Sequence, residues 1–345
     1  MIEEAIGIYV NELTSAFFDP RKRIFWGYLL SAGLIAMCWL TWCKGQSPGQ
    51  AGRQIFARTA WWSRSALADY RVMVLNSAIM LVLSPRLLSQ LGVSILVFEW
   101  MHGVFGGRFA LLPEFPDWGV VIAFTSCLFV LDDFARYVVH RLLHQVPALW
   151  CFHKVHHTAT SLNPLTVYRT HPVEGAIFAV RGALVHGTCT AVFVFFFGEQ
   201  VTLATVLGAG VFNFVFNALG SNLRHSHVAL GYWKPVERLF ISPAQHQIHH
   251  SRARRHRDRN FGAALAIWDL VFGTHCFSEP GESLSFGVEG EWGPRAHTLP
   301  ALYWRPVREA GGVVFKTLRG PGKDLSPACR FGRSARAQAG SHSGH

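Results

Sequence analysis

The sequence predicts an all-α integral membrane helical bundle, and three observations support this class. Half of the 345 residues are hydrophobic and only 15% are charged, a composition that is unusual for a soluble enzyme. Residues 24–43 are twenty uncharged residues in a row, enough to cross a bilayer as a helix. Histidines recur at the spacing of helical neighbours, so a histidine-rich site is expected at one end of the bundle.

The first membrane segments can be placed in order along the chain. Arg21-Lys22-Arg23 precedes the first span, and no convincing cleavage site follows, so residues 24–43 are expected to be an anchor. Residues 44–71 are polar and basic, as in a cytoplasmic loop or surface helix. Residues 72–98 are apolar but interrupted by Pro85-Arg86, which predicts either one kinked span or a span plus an in-plane segment.

The later apolar runs predict one long helix and a hairpin, for about four to five spans in total. Trp118–Leu131 is short for a crossing, so this helix must be tilted or extended. Gly182–Gly198 and Val201–Asn222 are separated by Glu199-Gln200 and predict a tight helical hairpin. Because this hairpin has two spans, the segments before and after it lie on the same side of the membrane. All histidine groups can therefore meet at one membrane face, which we expect to be cytoplasmic.

Charge and cysteine content suggest the surroundings of the protein. The formal net charge is +11, but the basic residues are scattered beside apolar runs and form no compact patch with aromatic residues. We therefore expect them to face anionic lipid headgroups and the cytoplasm rather than nucleic acid. The seven cysteines include no Cys-x-x-Cys pair, as is typical of small core residues in a reducing compartment.

The histidines form three groups with helical spacing. His140 and His144 are four residues apart, and the same i, i+3, i+4 triplet occurs twice. The triplets are His153, His156 and His157, and then His246, His249 and His250. Imidazole is a common ligand of borderline metals, and three such groups can surround more than one ion. The pattern therefore predicts a metal site, most simply one for two ions.

Other histidine chemistries fit less well. A zinc peptidase of the zincin type needs His-Glu-x-x-His, whereas His140-Arg141-Leu142-Leu143-His144 lacks the glutamate. A structural zinc site uses four ligands and would leave several histidines without a role. An all-imidazole dimetal site suits iron and dioxygen chemistry, although the ligand type alone leaves zinc open.

The motifs resemble those of the fatty acid hydroxylase / sterol desaturase superfamily, in family order over roughly residues 120 to 275. The segments that carry the resemblance are Asp133–His144, His153–His157, Arg169–Glu174, Pro243–Ser251, Asn260-Phe261-Gly262 and Ile267–Thr274. The resemblance implies an integral-membrane diiron oxygenase that uses dioxygen and two external electrons. Members of the superfamily hydroxylate or desaturate sterols, fatty acyl chains or related lipids.

The resemblance also implies a set of site residues. The metal ligands carried over are His140, His144, His153, His156, His157, His246, His249 and His250, and Arg224-His225-Ser226-His227 supplies His225 and His227 as further candidates. His171 is expected to be either a ligand or a structural residue.

Two neighbours of the first histidine pair are candidate catalytic residues. Asp133 and Tyr137 share a helix face with His140 and His144, so Asp133 is expected either to orient a ligand imidazole or to cap or pair with Arg136. Asp132 is expected to face solvent.

The implied cofactors are two non-haem iron ions, with zinc as an alternative occupant. The chain carries no flavin, nicotinamide or haem motif, so the electrons are expected from a separate donor such as a ferredoxin or cytochrome b5-like protein. The basic loop 251–259 either faces lipid headgroups or docks this donor. A non-redox metal-binding membrane protein, such as a zinc-dependent hydrolase, is the alternative from another class.

These expectations divide the chain into four regions. Residues 1–117 are expected to anchor the protein in the membrane, and residues 118–280 to form the catalytic domain. Residues 281–315 would be a C-terminal extension. Residues 316–345 are rich in Gly, Ser and Arg and predict a disordered basic tail.

Overall fold

The chain folds into helices joined by short loops, as the sequence predicted. The computed structural model describes residues 2–84, 87–112, 114–208, 210–288 and 294–319. Within these ranges the α-helices are α1 (Ile2–Phe18), α2 (Trp26–Cys38), α3 (Pro48–Ile55), α4 (Arg58–Trp61), α5 (Arg64–Leu83), α6 (Gln90–Val104), α7 (Asp117–Gln145), α8 (Pro147–His157), α9 (Pro172–Phe197), α10 (Leu203–Gly208), α11 (Val211–Ala218), α12 (Lys234–Glu237), α13 (Pro243–His249), α14 (Ile267–Val271) and α15 (Leu299–Leu318). The described segments contain two isolated β-bridges and no strand. The all-α class is confirmed.

Among the described residues, four helical stretches are long and apolar enough to cross a membrane, namely Trp26–Cys43, Arg64–Leu83, Asp117–Gln145 and Pro172–Gln200. The first agrees closely with the predicted anchor at residues 24–43. On α2, Trp26, Leu30 and Leu34 follow one another at four-residue spacing, and each is more than half exposed. An apolar stripe of this kind is suited to contact with lipid.

The second apolar region, predicted over residues 72–98, consists of two separate helices. Helix α5 begins at Arg64, inside the stretch predicted to be polar, and ends at Leu83. Helix α6 packs against α9, where the Ser94 hydroxyl donates to the Gly187 carbonyl over 3.0 Å. A Cβ on Gly187 would lie 2.6 Å from the Val93 Cβ, so glycine permits this close approach.

Helix α7 contains the short apolar run Trp118–Leu131. It continues for 29 residues to Gln145, so the extended alternative is the one observed. The added turns place His140 and His144 at its carboxyl end. Pro147 then begins α8 after a single linking residue, because proline is favoured in the first helical turn. The first two histidine groups therefore lie on consecutive helices.

The predicted hairpin is only partly correct. Its first arm is α9, but the described part of residues 201–222 forms the short helices α10 and α11, and neither is among the membrane-capable stretches found in the described residues. Gly208 and Gly210 stand at the break, where glycine disfavours helix continuation. The chain still returns to the histidine end, because α11 leads into a 3₁₀ turn at Ser221–His225 that packs against α13.

The C-terminal region covers the outer side of α8. Leu302 of α15 packs in one buried cluster with Val72 of α5 and Val155 of α8. Lys154 of α8 pairs with Glu309 of α15. Helix α15 runs to Leu318, past the predicted start of the tail at residue 316, and residues 320–345 of that predicted tail lie outside the described residues.

Candidate metal centre

Nine histidines converge in two groups whose candidate ligand atoms lie within 4.8 Å of one another. The first group contains five residues, His140, His144, His153, His157 and His249. The second group contains four, His156, His225, His246 and His250. Eight of these residues are the ligands carried over from the motifs, and the ninth is His225.

Helix geometry explains how each triplet serves both groups. In an α-helix, residues i and i+4 point in nearly the same direction. Residue i+3 points to the opposite side of residue i from residue i+4. In α8, His153 and His157 join the first group and His156 joins the second. At α13 the roles are reversed, because His246 and His250 join the second group and His249 joins the first.

The second group has the geometry of a metal cage. The His225 Nε2 lies 3.1 Å from the His156 Nε2, 3.0 Å from that of His246 and 3.2 Å from that of His250. One ring nitrogen carries either one hydrogen or one lone pair, so it cannot form three hydrogen bonds. Two nitrogens that each lie about 2.0–2.1 Å from a shared ion are roughly 3 Å apart. These residues therefore fit an ion at their centre.

Burial keeps the imidazoles in the form that binds metal. It lowers the pKa of His153 to about 3 and that of His156 to about 4, the latter with a further contribution from the nearby His153. Both rings are neutral at physiological pH, so each retains a nitrogen lone pair. Neutral imidazole is the species that coordinates metal ions.

Glu174 fixes the orientation of one ligand. The His153 Nδ1 lies 3.0 Å from the Glu174 Oε1, and both side chains are buried. When the Glu174 carboxylate is ionised it can only accept, so Nδ1 then carries the hydrogen and Nε2 is left with its lone pair towards the group. Glu174 belongs to the Arg169–Glu174 motif, but sequence analysis assigned it no role.

A backbone carbonyl fixes a second ligand. The His140 Nδ1 donates to the Phe261 carbonyl over 2.8 Å. The Asp269 carboxylate holds this loop by accepting from the Phe261 and Gly262 amides, each over 2.8 Å. A Cβ at Gly262 would lie 2.6 Å from the Leu265 carbonyl oxygen, so the loop requires glycine there. The Asn-Phe-Gly and Ile267–Thr274 motifs therefore support a metal ligand jointly.

The second triplet is held by capping and by another carbonyl. Ser242 accepts from the Gln245 amide and Gln245 accepts from the Ser242 amide, which is a complete capping box. Within the same triplet, the His249 Nδ1 donates to the Arg259 carbonyl over 2.8 Å, which directs its Nε2 towards the first group. The His249 Nε2 is buried and has no hydrogen-bond partner among the residues described.

Four predicted site residues lie elsewhere. The His227 Nε2 contacts the Gln54 carbonyl at 2.5 Å, outside both groups, so we remove it from the candidate ligands. His171 caps α9 by accepting from the Val173 amide. Asp133 accepts from the Ala264 and Leu265 amides and from the Trp268 indole. The Tyr137 hydroxyl lies 3.0 Å from the Thr274 hydroxyl.

These contacts change the role of the two predicted catalytic residues. Asp133 bonds neither to a ligand imidazole nor to Arg136; instead it ties α7 to the loop that follows the Asn-Phe-Gly motif. Tyr137 likewise contacts the turn after α14. We therefore assign both to positioning rather than to chemistry.

The prediction for Asp132 is wrong. Its carboxylate is buried and pairs with Arg136 over 2.7 Å and with Arg181 of α9 over 2.6 Å. A buried carboxylate needs such partners because desolvation is costly. Asp132 therefore links α7 to α9 instead of facing solvent.

A cleft leads from the surface to the histidine rings of both groups. It is lined by His144, Trp150, His157, His249, His250, Ser251, Arg252, Arg257, Asp258, Gly287 and Val288. The lining is polar and basic on the side of the loop at residues 251–259. This cleft reaches the histidine rings from the side of the loop at residues 251–259.

Comparison with known proteins agrees with the fold and the site. Residues 125–274 match the family model described as fatty acid hydroxylase, the region that contains all nine grouped histidines. The resemblance to the fatty acid hydroxylase / sterol desaturase superfamily is thereby confirmed over this region.

Curated relatives are lipid-oxidising enzymes by name. Alkylglycerol monooxygenase of Caenorhabditis elegans is 24% identical over 230 residues, covering 63% of this chain and 41% of that protein. Ornithine lipid hydroxylase of Rhizobium tropici is 26% identical over 162 residues, covering 47% and 44%. A putative methylsterol monooxygenase of Dictyostelium discoideum is 28% identical over 169 residues, covering 48% and 54%. The chain thus spans about half the length of these relatives, and no solved structure matches it.

Proposed function

We propose that this protein is a membrane-bound diiron oxygenase that hydroxylates or desaturates a C–H bond of a lipid. The observation that carries the proposal is the pair of all-imidazole groups, each with the ligand number of one ion. The names of the relatives, which are monooxygenases and hydroxylases of lipids, support the same reaction class. The apolar helices support a membrane-bound substrate.

Iron bound at these groups would supply oxidation of an unactivated C–H bond by dioxygen and two electrons. His140, His144, His153, His157 and His249 would hold one ion, and His156, His225, His246 and His250 the other. Because all of these ligands are neutral, the positive charge of the bound ions would remain uncompensated by the protein.

The residues around the ligands keep this arrangement in place. Glu174 and the carbonyls of Phe261 and Arg259 each hold the Nδ1 hydrogen of one ligand of the first group. Three of the five rings are therefore fixed in tautomer and orientation before an ion binds, which lowers the cost of assembling the site. Small changes in substrate position would decide between an alcohol and an alkene as product.

The electrons would come from a separate acidic protein. Arg252 and Arg257 line the cleft, and Arg254 is exposed in the same loop. Complementary charge of this kind accelerates association with an acidic partner. Reversal of charge at Arg252 and Arg254 should raise the donor concentration needed for half-maximal turnover, and unchanged donor dependence would contradict this docking site.

The reaction is tested by reductant-dependent oxygen uptake on a membrane lipid extract, with ¹⁸O₂ to label the product. We expect uptake and an oxidised lipid with the native protein, and neither with His156→Ala. The matched control is His227→Ala, because His227 lies outside both groups. Lipid hydrolysis that proceeds without oxygen and reductant would favour a zinc-dependent hydrolase instead.

A further inference from the structure

An arginine pair beside the second histidine group has no carboxylate partner. Arg23, from the basic run before the first span, donates from Nη2 to the Ser221 carbonyl over 3.2 Å. Arg224 donates from Nε to the same carbonyl, also over 3.2 Å, and from Nη1 to the Ala263 carbonyl, while its guanidinium lies over the Phe216 ring. Two guanidinium groups that share one acceptor are close neighbours. In the part of the chain that the structure describes, neither forms an ion pair.

Burial makes this proximity costly. Arg224 is 4% exposed, and the Arg23 Nε is inaccessible to solvent and has no hydrogen-bond partner among the described residues. Burial, together with the charges of Arg224 and Arg136, lowers the pKa of Arg23 well below its usual range. Arginine nevertheless stays protonated in proteins. Like charges in such a place are stabilised by an anion.

The nearby acids are already engaged. Asp133, the acid whose charge acts on Arg224, accepts three N–H groups of the loop after Gly262. Asp132 pairs with both Arg136 and Arg181. The excess positive charge around the Ser221 carbonyl is therefore left for a ligand to neutralise.

The position of this pair points to the ligand. Arg23 lies three residues before the start of α2, the first membrane-capable stretch, and therefore at the level of the lipid headgroups. Arg224 immediately precedes His225, a member of the second histidine group. The side chain of Arg136 is 42% exposed and pairs with Asp132, and its charge acts on Arg23 from the α7 side.

We propose that Arg23, Arg136 and Arg224 form a binding site for the phosphate or carboxylate headgroup of the lipid substrate. The proposal rests on the proposed lipid oxidation, since it assigns the headgroup of the same substrate. Guanidinium groups bind such oxyanions by paired, charge-assisted hydrogen bonds. The substrate class is therefore an anionic amphiphile, held by its head beside the second histidine group.

The test is a binding titration of the full-length, metal-loaded protein in neutral detergent. The probes are dihexanoyl phosphatidic acid, dihexanoyl phosphatidylcholine and inorganic phosphate, and binding is read from the shift in thermal unfolding midpoint. We expect saturable binding of the phosphatidic acid that Arg23→Gln weakens about tenfold or more, as for loss of a charge-assisted bond. Arg136→Gln, with its half-exposed side chain, should weaken it as well.

Arg21→Gln is the matched control, because it removes the same charge from the same basic run. Arg21 is 84% exposed and pairs with Asp19, so its loss should leave the affinity unchanged. An equal loss of affinity in Arg23→Gln and Arg21→Gln would show that only general surface charge matters, and it would overturn the proposed binding site. Binding of inorganic phosphate as tight as that of the lipid, and equally dependent on Arg23, would assign the site to a free anion and contradict the lipid proposal.

Metal content and the unfolding midpoint without ligand show whether each variant is folded. If Arg23→Gln does not fold, the comparison of Arg136→Gln with Arg21→Gln decides the question. Binding needs neither oxygen nor electrons, so it is separable from turnover. Arg23-dependent binding in a protein without oxygenase activity would refute the proposed function alone. Activity and binding that are both indifferent to Arg23 and Arg136 would refute the headgroup site alone.

Discussion

His225 and His227 lie two residues apart but have different surroundings. The His225 Nε2 lies within 3.2 Å of three other ring nitrogens, whereas His227 contacts the Gln54 carbonyl. We therefore expect His225→Ala to lose about one of two bound ions and His227→Ala to retain both, as measured by metal analysis of the purified variants. Equal metal content in the two variants would contradict the assignment.

If Glu174 orients His153, replacing Glu174 should change the affinity of the protein for metal. Glu174→Ala should weaken metal binding roughly 10–100-fold, the usual effect of removing a partner of a ligand. Glu174→Gln should lose less, because its amide oxygen can still accept from the His153 Nδ1. Competition with a chelator would measure both affinities. Native affinity in Glu174→Ala would show that the carboxylate contributes nothing to the site.

At the scale of single residues, the sequence predicts the metal ligands better than the groups that orient them. The spacing of His153, His156 and His157 is local, so helix geometry alone places them together. The partner of His140 is a carbonyl 121 residues away, and no local pattern indicates such a contact. His225 and His227 both fall in the Arg224–His227 motif segment, where the resemblance favours His225 as the ligand. The turn at Ser221–His225 places His225 in the second group, and His227 lies outside it.

At the scale of elements, α15 stabilises the helix that carries the first triplet. Leu302 is 1% exposed and packs with Val72 and Val155. Leu302→Ala should therefore lower the free energy of unfolding by about 2–5 kcal/mol. The same substitution at Leu318, which is 80% exposed, should change it by only about 0.5 kcal/mol. Thermal unfolding in detergent compares the two, and equal midpoints would argue against this packing.

Helix boundaries show where local signals are reliable. Pro147 and the Ser242–Gln245 capping box mark the starts of α8 and α13 in sequence as in structure. The apolar run at 201–222 is misleading, because hydrophobicity does not distinguish one long helix from two short ones. Asp132 was misjudged because its partner Arg181 comes from another helix. Such pairing depends on the tertiary fold.

At the scale of the molecule, the histidine groups define one end of the bundle. Helix α9 is 26 residues long, or roughly 39 Å at 1.5 Å per residue, which exceeds the apolar thickness of a bilayer. Near its far end, the Phe195 carbonyl accepts from the amide of Ala110, which lies in the loop between α6 and α7. The basic loop 251–259 should lie on the cytoplasmic side and Glu199 on the other side.

This topology is testable by cysteine labelling in intact cells, with the exposed Cys43 replaced by serine as the parent protein. A cysteine at Glu199 should react with a membrane-impermeant maleimide, whereas one at Arg254 should react only after the cells are opened. Both residues are exposed in the structure, so accessibility does not bias the comparison. Labelling of both positions from outside would contradict the placement of the basic loop and Glu199 on opposite sides of the membrane.

The central claim is that the nine histidines hold two iron ions, and metal analysis of the purified protein tests it most directly. After anaerobic, iron-supplemented preparation we expect about two irons per chain, as follows from one ion in each of the two groups. Loss of this iron to a chelator should abolish oxygen uptake, and re-addition should restore it. Zinc alone under the same conditions, with no oxygen uptake, would contradict the account and favour a metal site without redox chemistry.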